Sequence, residues 1–247
     1  MTTRGLYGYK GGSLISQTGT SNKGVFSNDE YLNVKARDEL VKPVIPAIST
    51  APTSIYIPST FDDTNNIWED YMGNNNTSAN AGNPIKVTGQ TPSNGSTLIT
   101  EYVQGNTGAG LTFGHTKCSS GYTAFHVSRY NGTEARIWAS TSGNWLSGFW
   151  GGNAGVAYHE GWLTSNDKAG TSWLLSVDKY NYYAYYYSGG SGSATGGGNT
   201  NTGSWGINVH GEKSDWQVYG FWYYDADLSS SDIDVVRATI NDLVGIY

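Results

Sequence analysis

Tyr122-Thr123-Ala124-Phe125-His126-Val127-Ser128-Arg129-Tyr130, followed at once by Asn131-Gly132, decides the fold class. Successive side chains of a strand point to opposite faces. Ala124, His126, Ser128 and Tyr130 therefore share one face, and Thr123, Phe125, Val127 and Arg129 the other. Asn-Gly takes the positive φ angles of a tight turn and ends the strand. The same grammar recurs outward from this segment. Toward the N-terminus, Ser54-Ile55-Tyr56-Ile57 and Thr97-Leu98-Ile99-Thr100-Glu101-Tyr102-Val103 alternate. Toward the C-terminus, strands are expected at 135–139, 156–158, 172–177, 182–187, 204–209 and 216–224, separated by turns such as Ser142-Gly143-Asn144 and Gly151-Gly152-Asn153. Many short strands with turn-rich joints make a sandwich or a barrel. The 34 Gly, 19 Tyr and 9 Trp agree with this, since Gly supplies turns while Tyr and Trp suit half-buried pleated surfaces.

Two segments break the strand pattern. Ser229-Ser230-Ser231-Asp232 is a capping box, and Ile233, Val236, Ile240, Leu243 and Val244 follow at helical spacing. A C-terminal helix of about three to four turns is expected to pack on the sandwich through that stripe. Residues 189–203 (GGSGSATGGGNTNTG) are low in complexity and are expected to form a long, mobile hairpin loop.

The chain divides into an arm, residues 1–50, and one domain, residues 51–247. Gly5, Gly8, Gly11, Gly12 and Gly19 keep the arm's start irregular. Residues 28–40 read as a short helix capped by Ser27 or Asn28, with Leu32, Ala36 and Leu40 on one face. Pro43 and Pro46 mark an extended linker. The arm is too thin to build a core, so it is expected to dock on something else.

Charge and composition exclude several classes. The formal net charge is −6: residues 1–43 carry +2 and the remainder −8. No Lys/Arg cluster offers a footprint for phosphates, so nucleic acid is not an expected partner. No apolar run approaches the ~20 residues of a membrane helix, and no apolar leader precedes the first glycines, so neither membrane insertion nor secretion is expected. Cys118 is the only cysteine, which rules out an internal disulfide and thiolate zinc sites and reads as an inert thiol. His115, His126, His159 and His210 are scattered and read as hydrogen-bonded structural histidines.

Three segments carry resemblances. Lys23-Gly24-Val25-Phe26-Ser27-Asn28-Asp29-Glu30-Tyr31 resembles the G-V-F/W-S-x-x-E/Q-Y stretch near the start of many phage tail and appendage proteins. Trp68-Glu69-Asp70-Tyr71-Met72-Gly73-Asn74 is similar to the W-x-D-x-S-G-N stretch that opens many laminin G-like domains, with Met72 where that pattern has Ser. From about residue 121 to 247, the order of Phe149-Trp150-Gly151-Gly152-Asn153, Gly161-Trp162-Leu163, Trp173-Leu174-Leu175-Ser176-Val177-Asp178 and Ser214-Asp215-Trp216 resembles concanavalin A-like lectin/glucanase domains. It ends in Tyr224-Asp225-Ala226-Asp227-Leu228-Ser229, similar to their Y-x-x-x-L-S-x-x-E-I box with Asp232 for Glu. The resemblance implies an all-β, concanavalin A-like jelly-roll β-sandwich with a short C-terminal helix behind an extended N-terminal arm. It further implies a non-enzymatic structural component of a tailed-bacteriophage virion: head decoration, collar or tail appendage. Its partners are then other capsid or tail proteins, met through the arm, with host-surface glycans on the lectin-like domain and self-association into a homo-oligomer.

A free carbohydrate-binding lectin is the alternative reading, and the arm argues against it. A glycan hydrolase is a third reading. Retaining members of this fold carry E-x-D-x-E or E-x-D-x-x-E on one strand, so that two carboxylates share a face. Glu101, Glu134 and Glu160 stand alone, so no catalytic residue is assigned. No cofactor or metal is assigned either; Asp62, Asp63 and Asp70 read as solvated loop residues, with a Ca²⁺ site as the alternative. The aromatic surplus is the remaining signal. Tyr182 to Tyr187 place rings on both faces of one strand, and the face outside the core needs a cover: a subunit, a ligand or the glycine-rich loop. Tyr182 and Tyr186, with Trp150 and Trp162 if the fold brings them near, are the candidate ligand-binding residues.

Overall fold

A computed structural model describes residues 45–119, 121–196 and 201–247. The expected helix at 28–40 and most of the arm lie outside them. The strands are β1 (Ser54–Tyr56), β2 (Phe61–Asp62), β3 (Ile67–Trp68), β4 (Ser78–Ala81), β5 (Ile85–Val87), β6 (Tyr102–Gly105), β7 (Gly110–Lys117), β8 (Thr123–Tyr130), β9 (Trp138–Ser140), β10 (Trp145–Trp150), β11 (Asn153–His159), β12 (Trp162–Ala169), β13 (Leu174–Lys179), β14 (Tyr182–Tyr187), β15 (Gly190–Thr195), β16 (Ser204–Ile207) and β17 (Trp216–Tyr224). They form two antiparallel sheets and a β2–β3 ribbon. The first sheet runs β15-β14-β13-β8-β17-β6-β5, and β17 shares one edge between β6 and β1. The second runs β12-β11-β10-β9-β16-β7-β4. This is the all-β sandwich expected from the sequence, closed by one C-terminal helix, α1 (Ser230–Val244).

Alternation along β8 shows how the layers form. Ala124 and Tyr130 enter the core between the sheets, with Trp138, Trp145, Phe149 and Trp205 of the second sheet. Phe125 and Val127 point the other way, into a second cluster with Leu175, Trp222, Ile233, Val236 and Ile240, so α1 seals the outer face of the first sheet. A strand buried on both faces must be apolar on both or satisfy its polar atoms internally, and β8 does the second. His126 Nδ1 lies 3.1 Å from Ser128 Oγ and its Nε2 lies 3.2 Å from Ser147 Oγ. Trp138 Nε1 donates to Ser128 Oγ at 2.8 Å.

The helix starts as its sequence dictates. The Asp232 N–H donates to Ser229 Oγ at 3.1 Å, and the Ser229 hydroxyl donates to the Asp232 carboxylate at 2.8 Å. Gly245 ends it in the left-handed region at φ 58°. Ile233, Val236, Ile240 and Val244 are buried, while Leu243 is only half-buried.

Some boundaries differ from expectation. Thr97 to Thr100 are not a strand: the Ser96 hydroxyl accepts from the Ile99 N–H at 2.9 Å and Thr97 N–H donates to Gly245 O, which ties this stretch to the end of α1. The strand expected at 135–139 begins only at Trp138. The glycine-rich segment is not a loop throughout, because Gly190–Thr195 is the edge strand β15 paired with β14. The missing side chains permit it: a Cβ on Gly192 would lie 2.5 Å from the Tyr185 hydroxyl oxygen, so only glycine fits against that ring. Residues 197–200 lie outside the described part.

Candidate functional site

The outer face of the first sheet is covered, so the outer face of the second is where exposed aromatic rings gather. Leu146 of β10 pairs in register with Tyr158 of β11, and Tyr158 with Trp162 of β12. Register partners project to the same side, so these three form a row across three strands. Trp150, at the end of β10, closes it. Trp150 keeps 37% of its surface exposed and Trp162 49%. Their ring centroids lie 5.3 Å apart at 63°, and Trp162 meets Tyr158 at 5.0 Å and 76°. Edge-to-face contacts of this kind fix ring orientation while leaving faces open.

The row forms one wall of a depression of about 290 Å³, whose polar side is Arg136, Asn144 and Glu212. Arg136 is only 4% exposed. Its Nη2 lies 2.7 Å from Glu212 Oε2, and its Nη1 donates to Asn144 Oδ1 at 3.0 Å. Burial draws the guanidinium below its ordinary range, while the Glu212 charge opposes that shift; arginine stays protonated across the accessible pH range. Half-exposed tryptophans thus stand beside polar groups held in place by Arg136.

The four aromatic candidates are not brought together. Trp150 and Trp162 stand in this groove on the second sheet. Tyr182 and Tyr186 lie on the outer face of the first sheet, in the cluster beneath α1. Tyr186 packs against Tyr247 at 5.3 Å, with the Arg237 guanidinium 4.5 Å over its ring. A second depression of about 370 Å³ remains there, between Lys179, Tyr182, Tyr186 and the start of α1. The cover that the tyrosine strand calls for is thus supplied by the chain's own helix. Tyr183 and Tyr185, on the opposite face, join the core.

The three aspartates considered for Ca²⁺ are each engaged separately. Asp70, almost fully buried, accepts backbone N–H bonds from Ile55 at 2.9 Å and Met72 at 3.0 Å. Asp62 caps Thr64 at 2.8 Å, and Asp63 accepts from Lys86 N–H at 2.6 Å. Among the described residues, no group of three His, Cys, Asp or Glu side chains could hold a metal ion.

A buried polar chain runs through the core instead. His159 Nε2 lies 3.1 Å from Asp178 Oδ2, the Tyr122 hydroxyl donates to Asp178 Oδ1 at 2.5 Å, and His159 Nδ1 lies 3.3 Å from Tyr180 O. The His159 and Asp178 side chains are 0% exposed, so no substrate can reach the pair. Its role is internal satisfaction of polar atoms. Burial likewise pushes the Cys118 thiol well up, away from the reactive thiolate.

Arg136, Asn144 and Glu212 carried no signal in the sequence as a site. Arg136 and Glu212 stand 76 positions apart, and only the folded chain joins them. The one available cue was a lone arginine in a segment otherwise apolar enough for a strand.

No family model matches the chain, and no curated protein matches it. Solved structures give likenesses. Domain 4 of AbnA, an extracellular GH43 arabinanase from Geobacillus stearothermophilus in complex with arabinotriose, is 14% identical with a TM-score of 0.46, covering 75% of this chain and 98% of that one. Trypanosoma rangeli sialidase in complex with 2,3-difluorosialic acid is 12% identical with a TM-score of 0.47, covering 88% of this chain and 42% of that one. The chain therefore spans about two fifths of the sialidase's length.

Proposed function

We propose that this chain is a non-enzymatic, glycan-binding structural component of a tailed-phage virion, in which the sandwich recognises sugar and the N-terminal arm docks onto neighbouring virion proteins. The observation that carries the binding half is the groove of Trp150, Tyr158 and Trp162 with Arg136, Asn144 and Glu212 at its polar side. Exposed rings are unfavourable by roughly 25 cal/mol per Å² of apolar area relative to burial, and stacking on a sugar ring covers them. The groove's lining holds one carboxylate, Glu212, where two-carboxylate glycoside hydrolysis takes a pair. The virion half rests on the resemblance of Lys23 to Tyr31 to phage tail and appendage proteins.

Each half has its own test. Trp162→Ala is expected to lower glycan binding by about tenfold or more, read on immobilised oligosaccharides, while the melting temperature stays near that of the parent because the ring is half-exposed. Unchanged binding to every glycan that the parent recognises removes the groove from the proposal. Deleting residues 1–46 is expected to leave a folded sandwich that no longer joins particles. Normal incorporation of the truncated chain, scored by cryo-EM of purified virions, sinks the docking role.

A further inference from the structure

We propose that a separate depression, at the exposed edge of the first sheet, binds the acetamido group of an N-acetylated sugar; this rests on the glycan-binding reading above and adds a second site to it. The shelter of α1 does not extend to β5, where Ile85 keeps 48% of its surface exposed. Ile85 pairs in register with Gln104 of β6, Gln104 with Gln217 of β17, and Gln217 with Arg129 of β8. Register partners share a face, so the four make one row across the sheet, on the outer side that Phe125 and Val127 also face. Their polar groups are chained. Arg129 Nε donates to Gln217 Oε1 at 2.7 Å, and Gln217 Nε2 donates to Gln104 Oε1 at 3.0 Å. A guanidinium can only donate, so it fixes which end of each amide comes next. The row therefore ends on the Gln104 Nε2 donor, with Ile85 as its neighbour.

Four strand ends close a depression of about 330 Å³ around Ile85 and Gln104: Asn83 before β5, Asn106 after β6, Asn131 after β8 and Asp215 before β17. Its walls are tied down. Asn106 Oδ1 accepts from the Gly108 N–H at 2.8 Å, which leaves Nδ2 as a second donor. Asp215 Oδ1 and Oδ2 accept the N–H groups of Thr107 and Thr133, each at 2.8 Å. The carboxylate thus joins the turn after β6 to the turn after β8, and Oδ1 has room for one more donor. An acetamido group presents a carbonyl acceptor, an N–H donor and a methyl. Gln104 Nε2 or Asn106 Nδ2 meets the first, Asp215 Oδ1 the second and Ile85 the third. A hydroxyl in the same place has no methyl to cover Ile85. Because the Gln104 amide is already oriented by Gln217 and Arg129, binding costs it little rotamer freedom. Arg129 and Gln217 are positioning residues here, and Gln104, Asn106, Asp215 and Ile85 are the contacts.

The experiment presents the full chain to an array of neutral oligosaccharides, each N-acetylhexosamine member beside its hexose counterpart of the same linkage. The N-acetylated sugars are expected to bind at least about tenfold more tightly than their counterparts. Asn83→Trp fills the depression and is expected to abolish that preference; Asn106→Ala removes one donor and should lower it several-fold. Both positions are exposed, so melting temperatures should stay near that of the parent. Trp162→Ala is expected to weaken both kinds of sugar alike. In NMR spectra of the parent, the Gln104 side-chain NH₂ signals should shift with an N-acetylated sugar and stay in place with its hexose counterpart. Equal binding of the two kinds, or a preference that survives both Asn83→Trp and Asn106→Ala, overturns this inference and leaves the groove a sugar site. A preference lost in those variants, with binding undiminished by Trp162→Ala, supports this site and removes the groove instead. Silence across the whole array overturns the glycan-binding reading and this inference with it.

Discussion

Replacing Asp178 with alanine is expected to cost the fold about 2–6 kcal/mol, since it strips the partner from two buried polar groups at about 1–3 kcal/mol each. The carboxylate has no exposed surface, receives the Tyr122 hydroxyl at 2.5 Å and faces His159 Nε2 at 3.1 Å. Burial together with the Asp178 charge holds the Tyr122 phenol well above its ordinary value, so it remains a donor. Alanine strands that donor and the imidazole between the sheets, where no water replaces the lost partner. His159 is also stacked on Trp145 at 5.1 Å and 12°, so it cannot swing away to find another. Asp178→Asn retains an acceptor and should fall between. Urea midpoints for the three proteins decide the matter; a loss below about 1 kcal/mol for the alanine variant would show that the buried chain adds no net stability.

Acid is expected to destabilise the sandwich well above the ordinary carboxylate range, through His126. Burial brings its imidazole from 6.5 down to about 3, and its two ring nitrogens are met by hydroxyls rather than carboxylates. The unfolded chain therefore binds a proton that the native one refuses. Stability from this group is complete above pH 6.5 and is lost as pH falls from 6.5 toward about 3. At about 1.4 kcal/mol per pH unit the full loss is about 4–5 kcal/mol. No sideways escape exists, because Gly148, at φ +87°, brings its backbone so close that a Cβ would lie 2.8 Å from His126 Cε1. Unfolding free energies measured from about pH 7 to about pH 4 should fall steeply in the parent and less steeply in His126→Gln, whatever that variant's absolute stability. Equal slopes would place the acid sensitivity in other groups.

The architecture was legible in the sequence wherever local chemistry and tertiary packing agree. The alternation of residues 122–130 and the Ser229–Asp232 cap read directly as a strand and a helix start. β15 was not legible, because Gly190 to Thr195 carry almost no strand propensity; the strand forms because Tyr185 needs a flat neighbour without side chains. The four candidate rings stand out in the sequence through the surplus of Tyr and Trp. Their division between two sheets was not visible, since it depends on which sheet each strand joins, and that is set by pairings far apart in the chain. Nor could the sequence show that α1 lies over Tyr182 and Tyr186. Asn144, Glu212 and Arg136 were silent for the same reason: a polar trio assembled from a turn, a loop and a strand approach has no spacing to read.

The order of strands in the first sheet also determines when the protein can fold. β17 follows every other strand of the sandwich in chain order, yet β1, β6 and β8 all pair with it. The Asp225 N–H reaches back to the Thr53 hydroxyl across 172 positions. Until β17 is in place, both β1 and β8 present open edges that invite pairing with other chains. Closing the sheet thus brings together segments far apart in the chain and is expected to be slow on the scale of small domains.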